Sequence, residues 1–185
     1  MLDGIHKIHL IGIGGSGMRA IANILIQKGY DVSGSDIAES AVISKFRDMG
    51  ATVHIGHNKE YVNGVDAIVR STAIREDNPE IVAAKEQGIT ILHRSDIVKA
   101  VLDVTDGIAV AGAHGKTSTT SMIGQILVEA NADPTVIIGG EVDYLKGSSC
   151  LGKGHFSVVE ADESDGSFLK LHPHTIVITN IEDDH

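Results

Sequence analysis

A chain of 185 residues with 42 % hydrophobic but only 3 % aromatic content, and no Trp, is long enough for one large or two small domains and must build its core from aliphatic side chains. A formal net charge of −10 without a long Lys/Arg cluster argues against nucleic acid as a main partner, because backbone phosphates demand a basic surface. The single cysteine, Cys150, excludes an internal disulfide. It points to a reduced, cytoplasmic setting, and neither a signal-peptide layout nor an apolar run near the ~20 residues of a membrane span is present.

The first predicted strand covers His6 to Ile11. Gly12-Ile13-Gly14-Gly15-Ser16-Gly17 follows it and opens a helix pattern from Met18 to Gln27, stopped near Gly29. A second strand reads Asp31 to Gly34, a helix Ser40 to Met49, and a short strand Thr52 to Ile55. Val65 to Arg70 is the next strand. Pro79 suits the first turn of a helix running from Glu80 to Gln87. Thr90 to Leu92 is a strand, and Ser95 is placed to cap a helix ending at Leu102. Strand and helix alternate throughout, which argues for a parallel sheet with helices on both faces.

Near Asp103 the pattern restarts. Strand 107–111, the turn Gly112-Ala113-His114-Gly115-Lys116-Thr117 and helix 118–130 begin a second unit, followed by strands 136–138, 155–160 and 175–179. The expected fold is therefore α/β: a Rossmann-like parallel-sheet domain over 1–104, then part of a P-loop-type α/β ATP-binding domain over 105–185. The segment ends right after an apolar strand with no covering helix, so the second unit reads as incomplete. Its exposed edge and apolar face would favour association, with a homodimer as the expected form.

Three constellations carry chemistry. The turn ending in Lys116-Thr117 is suited to phosphate: backbone N–H groups and the helix N-terminus face the anion, Lys116 adds a mobile charge, and Thr117 can ligate Mg²⁺. Val110 stands where the usual P-loop has its first glycine, so the match is to a shortened form and a plain glycine-rich turn remains open. Gly12, Gly14 and Gly17, with Asp36 at about the twenty-residue spacing of a ribose-binding acid, fit a dinucleotide fingerprint. The same geometry holds any diphosphate, including that of a UDP-sugar, or serves as a structural turn. Glu160-Ala161-Asp162-Glu163-Ser164-Asp165 follows a strand at its C-terminal end. There a carboxylate such as Glu160 can share Mg²⁺ with phosphates, or the segment is a solvated acidic loop. His185 and Asn180 follow the last strand, and Ser71 and Arg94 end strands of the first domain, where each can touch a ligand or simply face solvent.

Taken together, Gly12 to Met18, Ala113-His114-Gly115-Lys116-Thr117, Glu160 to Phe168 and Thr179-Asn180-Ile181-Glu182-Asp183-Asp184-His185 resemble the Mur ligases of peptidoglycan synthesis. Among these, the pattern is closest to members that join L-alanine to UDP-N-acetylmuramate. The resemblance implies a first domain that holds the UDP part of UDP-N-acetylmuramate, with Gly14, Gly15, Ser16, Gly17, Asp36, Ser71 and Arg94 as contacts. It implies a second domain that holds Mg-ATP through Gly112, Gly115, Lys116, Thr117, Ser118 and Asn180. Lys116 and His114 would act in catalysis, and Thr117, Glu160 and His185 would hold Mg²⁺. The shortened phosphate loop is the form this family uses. Ala113, where the family commonly has Thr, and Gly166, where it has Ala, are departures. Family members continue through a further domain that completes the ATP and amino-acid sites. On that ground the segment is expected to be an N-terminal part with no ligase activity of its own. Three other functions stay open: a related ligase that attaches a peptide to the same sugar nucleotide, an NAD-dependent oxidoreductase resting on the first glycine motif, and a non-catalytic nucleotide-binding module.

Overall fold

The structure, a computed structural model, describes residues 1–162 and 166–182. Internal contacts divide the chain into one unit over Leu2–Arg94 and a second over Ser95–His185, to which Met1 is joined. The division falls before the last helix of the expected first domain, so that helix packs with the second unit.

In the first unit, β1 (Lys7–Ile11), β2 (Asp31–Asp36), β3 (Thr52–Ile55), β4 (Ala67–Arg70) and β5 (Thr90–His93) form one parallel sheet in the order β3-β2-β1-β4-β5. Ile8, His9, Leu10 and Ile11 are all fully buried. Successive strand residues point to opposite faces, so both faces of β1 are covered, as a central parallel strand requires. Helix α1 (Ser16–Gln27) buries Met18, Ile21, Ala22 and Leu25, the i, i+3, i+4, i+7 stripe of a core-facing helix. Each such large aliphatic side chain contributes about 1.5–3 kcal/mol on burial. Helix α2 (Ala41–Asp48) starts where the Ser40 hydroxyl accepts the Ile43 N–H at 3.3 Å. Helix α3 (Pro79–Gln87) starts where the Asn78 side chain accepts the Glu80 N–H at 2.9 Å, and it ends at Gly88, whose φ of 67° terminates the helix in the left-handed region. The chain builds to one side of β1 through β2 and β3, then to the other through β4 and β5. The strand order thus reverses at the C-terminal end of β1, the kind of switch point at which open α/β sheets commonly bind ligands.

The boundary falls after the first residue of α4 (Arg94–Leu102), which follows β5 without an intervening residue, and the second unit takes the rest of that helix. Ser95 therefore lies buried in the first turn of α4, one residue inside the helix, instead of capping it. Strands β6 (Asp106–Ala111), β7 (Thr135–Val142), β8 (Gly147–Cys150), β9 (Phe156–Glu160) and β10 (Thr175–Ile178) form a sheet in the order β10-β6-β9-β7-β8. All pairs are parallel except β7 with β8. That hairpin is the departure from a uniformly alternating pattern. β7 runs on through Gly139 and Gly140, turns over a short 3-10 segment Asp143–Leu145 and a left-handed Lys146, and returns as Gly147–Cys150. Ser148 and Ser149 are buried in it without the apolar alternation that announces a strand. Helix α5 (Lys116–Glu129) joins β6 to β7 and packs on β6, β7 and β9.

Candidate active site

At the end of β6 the chain turns through Gly112, Ala113, His114 and Gly115 before α5 begins at Lys116. Gly112 has φ 133° and Gly115 has φ 81°, conformations that favour glycine. α5 starts two residues earlier than its apolar pattern suggests, so Lys116, Thr117 and Ser118 occupy its first turn, where N–H groups lack intrahelical acceptors and the helix dipole is positive. The Lys116 ammonium folds back over the turn and donates to the Gly112 carbonyl at 2.6 Å and the Ala113 carbonyl at 3.3 Å. It is thereby held above the concave side of the loop.

Two neighbouring strands complete this cradle. Glu160 ends β9, in register with Val110 of β6. The Thr117 hydroxyl donates to Glu160 Oε1 at 2.7 Å, and the Gly139 N–H donates to Glu160 Oε2. A Cβ at Gly140 would lie 3.3 Å from Thr117 Cγ2, so the glycine pair on β7 gives the threonine room. On the other side, beyond β10, the Asn180 side chain accepts the His114 N–H at 2.9 Å and donates to the His114 carbonyl at 3.1 Å. The Thr179 hydroxyl lies 2.6 Å from the His114 carbonyl and 3.2 Å from that of Ala111. His114 Nε2 stands 3.5 Å from a Glu182 carboxylate oxygen. Gly139 has no place in the sequence reading, and Thr179 and Glu182 enter it only as members of the motif Thr179 to His185, with no role of their own. The Gly139-Gly140 pair at the end of a predicted strand was the available signal for the first. The contacts of the other two arise from the pairing of β10 with β6.

Thr117 and Glu160 bring a hydroxyl and a carboxylate together, the hard oxygen donors that Mg²⁺ takes alongside waters and phosphates. Among the described residues no group of three or more His, Cys, Asp or Glu stands ready to hold a metal. His185, the third expected ligand, and Glu163 to Asp165 lie outside the described residues.

The first unit has its own glycine loop. The Ser35 carbonyl accepts the N–H groups of Gly12 at 2.8 Å and Ile13 at 3.1 Å, and Asp36 Oδ2 accepts the Gly14 N–H at 2.8 Å. Asp36 thus braces the loop with one oxygen and the Ile37 N–H with the other, while a carboxylate offers about four acceptor positions in all. Gly15 is the residue before α1 and Ser16 begins it. A Cβ at Gly17 would lie 2.9 Å from Arg94 Cδ, so the structure brings Arg94 to the N-terminus of α1, where a cation complements a bound phosphate. Ser71 follows β4 at the same sheet edge, and its carbonyl closes a turn with the Ile74 N–H at 3.1 Å.

Residues 7–104, more than half of the chain, match the profile described as Mur ligase family, catalytic domain. The chain belongs to the Mur ligase family. The matched stretch of this Mur ligase chain ends before the Gly112–Thr117 loop. A UDP-N-acetylmuramate–L-alanine ligase of Solidesulfovibrio magneticus is 48 % identical over 100 % of this chain and 40 % of its own length. The solved UDP-N-acetylmuramate–alanine ligase MurC of Thermotoga maritima matches with a TM-score of 0.90 at 36 % identity, over 97 % of this chain and 42 % of that one. The UDP-N-acetylmuramate:L-alanyl-gamma-D-glutamyl-meso-diaminopimelate ligase of Neisseria meningitides matches with a TM-score of 0.89 at 28 % identity, over 98 % of this chain and 62 % of that one. The Mur ligase chain thus spans about 40 % of the length of the curated relatives it matches. No helix among its described residues is long and apolar enough to cross a membrane.

Proposed function

We propose that this chain carries the sugar-nucleotide and phosphate-binding parts of an ATP-dependent ligase that joins L-alanine to UDP-N-acetylmuramate in peptidoglycan precursor synthesis. The observation that carries the reading is the presence in one chain of the cradle of Lys116, Thr117 and Glu160 at the start of α5 and of a separate glycine loop with Asp36 and Arg94 in the first unit. A ligase of this class needs two anionic ligands held at once. One is the diphosphate of a sugar nucleotide and the other is the triphosphate of ATP. An oxidoreductase built on Gly12, Gly14, Gly17 and Asp36 would leave the second loop without a purpose.

In this reading Gly14, Gly15, Ser16, Gly17, Asp36, Ser71 and Arg94 bind the UDP part, and Gly112, Gly115, Lys116, Thr117, Ser118 and Asn180 bind ATP. Thr117 and Glu160, with His185, hold Mg²⁺, which offsets negative charge on the phosphates. The muramoyl carboxylate attacks the γ-phosphorus, ADP departs, and an acyl phosphate forms. The amine of L-alanine then attacks the acyl carbon, and phosphate leaves. Lys116 offsets the charge that accumulates when one anion attacks another, and His114 lies near the reacting carboxylate. Such catalysis is mostly positioning and electrostatics. The cytoplasm, where a thiol such as Cys150 stays reduced, is the compartment this reading implies.

The near-equal likeness to the Neisseria peptide ligase supports a second reading, with a preformed peptide as the amine. The higher identity to the alanine ligases favours the first. Titration calorimetry of the chain with UDP-N-acetylmuramate, Mg-ATP and NADH tests the common core. Binding of the first two without NADH is expected, and tight NADH binding with no response to the UDP-sugar would overturn it.

A further inference from the structure

The aliphatic core of the first unit encloses one charged group that the proposed reaction does not use. Glu80, the second residue of α3, is fully buried, as is His9 on β1. Glu80 Oε2 receives a hydrogen bond from the Ser35 hydroxyl at 2.7 Å and lies 3.0 Å from His9 Nε2. Its Oε1 accepts the Asn58 N–H at 3.2 Å and lies 3.1 Å from His57 Nδ1. His9 Nδ1 in turn lies 2.9 Å from the Ser33 hydroxyl. Burial, the largest single influence, would raise the Glu80 carboxyl, but the hydrogen bonds from His9, Ser35 and His57 and the charge interaction with His9 together hold the group below its ordinary value. One carboxylate thus joins β1, β2, the segment after β3 and the start of α3.

A buried ion is expensive, and well-packed apolar side chains often serve stability as well. The location of this one suggests a different use. Ser35 is the residue whose carbonyl holds the Gly12 and Ile13 N–H groups, and its neighbour Asp36 holds Gly14. The Asp36 carbonyl also accepts the Gly56 N–H at 2.7 Å, next to His57. Both sides of the nucleotide loop's support therefore lead back to the Glu80 carboxylate. We propose that Glu80 is a positioning residue for the nucleotide site of the first unit, fixing the glycine loop through Ser35 and the adjoining segment through His57 and Asn58. A loop held in its bound geometry before the ligand arrives binds more tightly because less order is lost on association. The link to affinity rests on the sugar-nucleotide reading above, but the effect on the loop does not.

The test compares the full 185-residue chain with Glu80→Gln and with Ser35→Ala. The first keeps the shape and removes the charge, and the second removes only the hydroxyl, so one remains informative if the other does not fold. Amide hydrogen exchange is followed by NMR without ligand, and UDP-N-acetylmuramate and Mg-ATP affinities by calorimetry. Loss of a charge-assisted hydrogen bond corresponds to about a tenfold change. Faster exchange of that order is expected at Gly12 and Ile13 but not along β4 and β5, with a comparable rise in Kd for the UDP-sugar and none for Mg-ATP. A double variant no worse than Glu80→Gln alone would show that the effect passes through Ser35. Unchanged exchange at Gly12 and Ile13, or a uniform rise across the unit, overturns the proposal. If the unaltered chain does not bind the UDP-sugar, the functional reading fails by itself and the exchange data still decide this one.

Discussion

Gly112→Ala is the substitution for which the structure makes its strongest demand. The residue has φ 133°, and a Cβ there would stand 3.0 Å from both the N and the O of Asn180 and collide with the Thr179 hydroxyl. A strained backbone of this kind costs about 1–3 kcal/mol. Overpacking against a fixed neighbour costs about 1–3 kcal/mol more. The Thr179 hydroxyl cannot retreat freely, because it is held at the His114 and Ala111 carbonyls. The combined loss is therefore roughly 2–6 kcal/mol, a large share of the ~5–15 kcal/mol that holds a domain together. Gly115→Ala provides the internal comparison. Its φ is 81°, but a Cβ there meets no atom within 4 Å, so only the backbone term applies, at about 1–2 kcal/mol. Urea unfolding followed by far-UV circular dichroism measures both. Gly112→Ala destabilising no more than Gly115→Ala would refute the argument that Thr179 and Asn180 clamp the loop.

Other outcomes follow from the same geometry. Thr117→Ala removes the hydroxyl that meets Glu160, so Mg²⁺-dependent ATP affinity should fall by about tenfold or more, the scale of a lost charge-assisted contact, while Thr117→Ser keeps it. Calorimetry with and without EDTA separates the two, and an equal loss for both would contradict a role for the hydroxyl. Gly17→Ala places a methyl 2.9 Å from Arg94 Cδ and pushes that side chain aside; in calorimetry, Gly17→Ala and Arg94→Ala should each weaken UDP-N-acetylmuramate binding and leave Mg-ATP binding intact. The Glu80 carboxyl is held below its ordinary value of 4.5 in the folded chain. The folded state therefore binds fewer protons at this group than the unfolded state, and its contribution is complete above pH 4.5 and is lost as pH falls through the lower folded value. Urea midpoints measured from pH 7 downward should decline on the acid side, and Glu80→Gln should flatten that decline. An identical acid slope in the variant would assign the effect to other carboxyls, such as Asp66, whose bonds from the Lys7 and His6 N–H groups also hold it low.

The alternation of strand and helix, the two glycine loops and the phosphate-suited Lys116-Thr117 pair follow from local features of the sequence. Strand runs such as Ile8 to Ile11 are apolar at all positions but His9 because both faces are buried, and glycines stand where the backbone must take a positive φ. Sequence periodicity and turn chemistry carry that information over a few residues at a time. Tertiary structure alone decided what those residues touch. That Asn180 and Thr179 grip His114, that Gly139 holds Glu160 against Thr117, and that Arg94 reaches Gly17 all depend on which strands are neighbours in the sheets. The β7–β8 hairpin escaped because its return strand, Gly147–Cys150, lacks apolar alternation and is held by pairing with β7. The Glu80 network was hidden for a related reason. His9 sits within an apolar strand and Glu80 in an ordinary helix start, and only folding brings a proton donor and an acceptor from positions far apart in the chain within 3.0 Å. Local sequence encodes the conformation each segment prefers, whereas hydrogen bonds between distant polar groups exist only once the sheet order has placed them side by side.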